Sequence, residues 1–91
     1  MDNNIFMNLA MKIVSNYVQD HLDKTDPDAS FSVFIVWLCK TLGNNKALIS
    51  TTLPDGMYYE ITYNGDKKEF YLDAYKKFEN RCIRLDELNE F

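Results

Sequence analysis

Along residues 4–24, apolar side chains recur every three or four positions: Phe6, Leu9, Ala10, Ile13, Val14 and Tyr17, with His21 continuing the row. That spacing predicts an amphipathic helix capped by Asn3 or Asn4. A second row, Met7, Met11, Val18 and Leu22, flanks the first. The apolar arc is therefore wider than one sheet face requires. It predicts a further contact, either with the C-terminal segment or with a second copy of the chain. Pro27 disfavours a helical Asp26 and stops the helix, and residues 23–30 read as a solvated acidic loop.

From 31 to 72 the period becomes two. Phe31 to Cys39 is rich in β-branched and aromatic residues and apolar on both alternating faces, which predicts a strand that is central or covered on both sides. Gly43-Asn44-Asn45 reads as a turn. Ala47 to Leu53, with Ser50, Thr51 and Thr52, reads as a partly exposed second strand. Pro54-Asp55-Gly56 has Pro at the second position of a turn. In Met57 to Tyr63, the residues Met57, Tyr59, Ile61 and Tyr63 form the core set and Tyr58, Glu60 and Thr62 the opposite face. Asn64-Gly65 predicts a two-residue hairpin with positive φ at both positions, and Lys68 to Leu72 a fourth strand. Short turns imply an antiparallel meander. Asp73 then caps an expected helix over 73–83, with Ala74, Tyr75, Phe78 and Cys82 on its inner face. The expected fold is one α+β domain over residues 1–91, in the order αββββα. It comprises a helix (1–24), an antiparallel sheet (31–72), a second helix (73–84) and an acidic tail (85–91), where Leu85, Leu88 and Phe91 extend the helix or fold back.

Composition narrows the function. With 46% hydrophobic and 14% aromatic residues, the 91-residue chain can form a core and is not of the disordered class. The N-terminus has no basic start, and the longest near-apolar run, Phe31 to Cys39, is far short of a membrane span. These features predict a cytoplasmic protein with no membrane partner. Two cysteines and one histidine cannot supply a usual four-ligand zinc site, so no metal or cofactor is expected. Cys39 and Cys82 are expected to be reduced and buried.

No catalytic constellation is visible. His21 suits a helix C-terminus, and Asp55, Asp66 and Asp73 have turn or cap roles. Net charge is −4, but unevenly spread. Lys67, Lys68, Lys76, Lys77, Arg81 and Arg84 cluster late in the chain, between an acidic 20–28 stretch and the acidic tail. A solvated face is the simplest account of the cluster. An anion site built from Lys67, Lys68, Lys76, Lys77 and Arg81 is the sharper one. The cluster is too small to favour nucleic acid, whose binding normally uses many phosphate contacts. Tyr58, on the outer sheet face with Glu60 and Thr62, joins Lys67, Lys68, Lys76, Lys77 and Arg81 as a candidate partner or ligand contact. Apolar residues on both sides of a single sheet call for a partner layer. A two-fold dimer is expected, through the Met7, Met11, Val18 and Leu22 row or the outer face.

Seven blocks carry a family resemblance: Val33 to Trp37, Cys39 to Leu42, Lys46 to Leu48, Ser50 to Glu60, Thr62 to Glu69, Tyr71 to Lys77 and Glu79 to Ile83. Over Phe34 to Ile83 the chain resembles short uncharacterised phage and prophage proteins of Gram-positive bacteria, a domain of unknown function (DUF6275-like). The first helix and the acidic tail fall outside that stretch. The resemblance implies a phage or prophage origin and brings no catalytic residues. The expectation is a non-enzymatic accessory protein that binds a host protein, with antiphage defence as the target class. The alternatives are sequestration of a small anionic, nucleotide-like ligand and, behind it, nucleic-acid binding.

Overall fold

The computed structural model describes residues 1–22 and 30–88; the expected acidic loop, apart from Ser30, and Phe91 lie outside the described residues. One helix, α1 (Asn3–His21), packs across a four-stranded antiparallel sheet: β1 (Val33–Thr41), β2 (Asn44–Thr51), β3 (Met57–Asn64) and β4 (Glu69–Lys76), in the order β1-β2-β3-β4. The α+β meander is as expected from the periodicities.

The cap of α1 is Asp2, whose carboxylate accepts the Ile5 N–H at 2.8 Å; Asn3 and Asn4 already lie in the first turn. The buried stripe is Phe6, Ala10, Val14 and Val18, a single row of i, i+4 neighbours. Against it lie Ala47 and Ile49 of β2 and Tyr59 and Ile61 of β3. Phe6 faces Phe70 in parallel at 6.3 Å, and Tyr17 meets Tyr59 edge-on at 5.7 Å. Val18 is thus core, and Met11 and Leu22 pack against that core. Of the row Met7, Met11, Val18 and Leu22, three members thus face the chain's own core, and Met7 is half-buried.

Several local expectations are corrected. The first strand is neither central nor covered on both sides: β1 is an edge strand, with Phe34, Val36 and Trp37 exposed. The first turn is Leu42-Gly43, with φ of 50° and 79°, rather than Gly43-Asn44-Asn45. Asn44 and Asn45 belong to β2, which is central, and Asn45, Ser50 and Thr51 are buried. That burial is satisfied: Ser50 Oγ donates to the Met57 carbonyl at 2.9 Å, and Thr51 Oγ1 accepts the Leu53 N–H at 3.2 Å. The Pro54-Asp55 turn forms, with Gly56 at φ 69°.

Asn64-Gly65 does not make a two-residue turn. Asn64 pairs with Glu69 across a four-residue loop whose positive φ falls on Lys68. Asn64 Oδ1 accepts the N–H groups of Asp66 and Lys67, a local bond that competes with the tight turn. The helix expected at 73–83 is absent. Asp73, Ala74, Tyr75 and Lys76 extend β4, opposite Glu60, Tyr59, Tyr58 and Met57. The ladder supplied by β3 outweighs a short helix, which is marginal on its own. Beyond it, residues 77–84 carry no regular structure, and Leu85–Glu87 form one 3-10 turn.

Candidate functional site

Cross-strand register fixes what the outer face of the sheet displays. Three rows cross it: Phe34–Ser50–Tyr58–Tyr75, Trp37–Leu48–Glu60–Asp73, and Cys39–Lys46–Thr62–Tyr71. Trp37 reaches this face through a β-bulge. Ile35 pairs with Ile49 on the helix side, Val36 is the extra residue, and Trp37 pairs with Leu48. An unbroken ladder would have aimed Trp37 at α1.

Trp37, Leu48, Tyr58 and Tyr75 line an open cleft of about 400 Å³, together with Glu60 and Lys77; Lys76 adjoins it but pairs with Met57, on the helix side of the sheet. Glu60 is held by Lys46 at 3.1 Å, a bond that raises the Lys46 ammonium above its ordinary pKa. Asp73 stands directly opposite Glu60, so two carboxylates face each other beside the cleft. The hydroxyl of Tyr71 donates to the Glu69 carboxylate, which raises the phenol pKa. This arrangement suits an aromatic or aliphatic group laid against the rings, with a negative end toward Lys77.

The expected basic constellation is divided. Lys67 and Lys68 sit in the β3–β4 loop, whereas Lys76 and Lys77 follow the far end of the eight-residue β4, roughly 25 Å away along the strand. Arg81 lies beyond and faces Glu79 at 3.8 Å. Tyr58 joins Lys76 and Lys77 in the cleft, and the other cations do not. Trp37, Leu48 and Tyr75 complete the wall. Trp37 was hidden in sequence by the bulge, and Tyr75 by its placement in a helix.

The cysteines are also corrected. Both are free and exposed: Cys39 because it lies on the uncovered face of an edge strand, Cys82 because no helix buries it. His21 donates from Nδ1 to the Tyr17 carbonyl at 2.8 Å and stacks on the Tyr17 ring at 4.2 Å, away from the cleft at the end of α1. No described helix is long and apolar enough to cross a membrane, and no group of three metal-ligating side chains forms among the described residues.

Residues 7–85 match the profile of a family of unknown function, DUF6275, and the chain belongs to that family. The match takes in most of α1, which the resemblance had placed outside it. Comparison with curated proteins and with solved structures returned no significant match.

Proposed function

We propose that this DUF6275 protein is a non-enzymatic binding protein that engages a protein partner through the outer face of its sheet. The observation that carries the reading is the cluster of aromatic side chains around one cleft, exposed Trp37 and Tyr75 with half-buried Tyr58 between them, on a face that no described element covers. Aromatic anchors of this kind dominate protein interfaces, and a basic rim adds orientation. In the phage or prophage setting that the resemblance implies, the partner is a host protein in the cytoplasm, with antiphage-defence components the class to test first. Capture from host lysate tests this. Tyr58→Ala is expected to abolish capture, while reversal of Lys76 and Lys77 weakens it. Unchanged capture by Tyr58→Ala refutes the face.

A second reading rests on the same cleft. Tyr58 and Tyr75 beside Lys77, with Lys76 adjoining, can stack a base and neutralise a phosphate. Native mass spectrometry of the purified protein would show a retained nucleotide-like ligand, lost on reversing both lysines. Nucleic acid is the weaker form of this idea, because the structure separates the cations that would follow a phosphate backbone.

A further inference from the structure

We infer that the resident occupant of the outer face is the C-terminal arm, residues 77–88, of a second copy of this chain, exchanged reciprocally in a two-fold dimer. The inference rests on reading that face as a docking surface and names its partner.

The arm leaves the end of β4, where the Lys77 N–H donates to the Gly56 carbonyl at 2.8 Å, and then carries no ladder and only the single 3-10 turn Leu85–Glu87. Its large apolar side chains are uncovered: Phe78 is 97% exposed, and Ile83, Leu85 and Leu88 are exposed as well. The Cα radius of gyration is 16.4 Å, against about 12 Å for a compact chain of this length. The arm has not closed on its own body. Closing would require a reversal at the rim of the cleft, and the chain has no Gly or Pro after Gly65.

Charge points the same way. Arg81 lies 3.8 Å from Glu79 and Arg84 lies 3.3 Å from Asp86, so the arm partly neutralises itself and offers its apolar side chains. Its distal turn carries Asp86 and Glu87, complementary to Lys77, which lines the cleft. Fully extended, twelve residues reach about 40 Å, ample to cross four strands spaced by about 5 Å. The four apolar side chains expose about 500 Å² per arm. Burying half of that, twice over and with the surface covered, removes about 1,000 Å², the lower bound of a specific interface. Every copy brings one arm and one face, so two-fold exchange satisfies both and closes the assembly.

Trp37, the only tryptophan, lines the cleft, so its emission reports occupancy. Sedimentation and fluorescence across the micromolar range should show a wild-type dimer whose emission shifts red on dilution. Phe78→Asp, at a side chain with almost no contact in its own chain, should leave the circular dichroism unchanged and raise the dissociation constant roughly a hundredfold. Mixing Phe78→Asp with Tyr75→Asp should give heterodimers, because one intact arm meets one intact face. Wild-type monomer throughout, a Phe78→Asp dimer as tight as wild type, or no heterodimer would each overturn the inference. If the wild type is monomeric yet Tyr75→Asp abolishes foreign-partner capture, the docking face stands and the second copy falls. If Tyr75→Asp changes neither, both fall.

Discussion

Leu42 occupies a backbone conformation that leucine disfavours. It is the first residue of the two-residue β1–β2 turn, at φ 50°, followed by Gly43 at 79°. A left-handed conformation costs a residue with a Cβ about 1–2 kcal/mol, less for asparagine. At 98% exposure, Leu42 has almost no packing in its own chain to offset that cost. Leu42→Asn should therefore stabilise the protein by about 0.5–1 kcal/mol, because Asn tolerates the turn and nothing is lost from the core. For a chain of this size the melting midpoint should rise by roughly 3–6 °C. Gly43→Ala is the control. Its added Cβ would meet nothing within 4 Å, so any loss is conformational, and about 1 kcal/mol is expected. Thermal melts by circular dichroism at low concentration measure both. A midpoint lowered by Leu42→Asn, or an indifferent Gly43→Ala, would refute the turn.

Asp73→Lys should stabilise by about 0.5 kcal/mol at low salt, since it replaces a like-charge pair opposite Glu60 with an attractive one, and the gain should shrink in high salt. Ile61→Ala, at a fully buried β3 position, should cost about 2–5 kcal/mol in denaturant titration. Burial holds the Tyr59 phenol above its ordinary pKa, so stability should fall as pH rises through the ordinary tyrosine range; Tyr59→Phe should move the alkaline unfolding midpoint upward. Gly65→Val should be mild, because Gly65 lacks the positive φ that a two-residue turn would have required of it.

Elements with one dominant period were legible in the sequence. The i, i+4 spacing of Phe6, Ala10 and Val14 and the alternation of Tyr59 and Ile61 admit one reading each, and both describe the core. Residues 70–78 admit two. Ala74, Tyr75 and Phe78 fit a helix face, yet Phe70, Leu72 and Ala74 fit a strand face equally well. The decision rests with pairing to β3, which local sequence does not contain. The same applies to the site. Tyr58 was legible from the alternation of β3. Trp37 was not, because a bulge one residue earlier reverses its side, and Lys67 and Lys68 were grouped with Lys76 and Lys77 by sequence distance although a whole strand separates them.

The position of β1 has a consequence for the life of the chain in a crowded cell. Among the described residues its outer margin is an unpaired row of backbone donors and acceptors, flanked by Phe34, Val36 and Trp37, and Lys40 is the strand's sole charged side chain. Such a margin is a template on which further chains can grow into fibres. Proline is absent from the strand and charge comes only near its end, so the extra residue at Val36 is the main irregularity that keeps the margin from running straight. The bulge that turns Trp37 to the outer face therefore also guards solubility. A straightened β1 would trade a recognition surface for an aggregation seed.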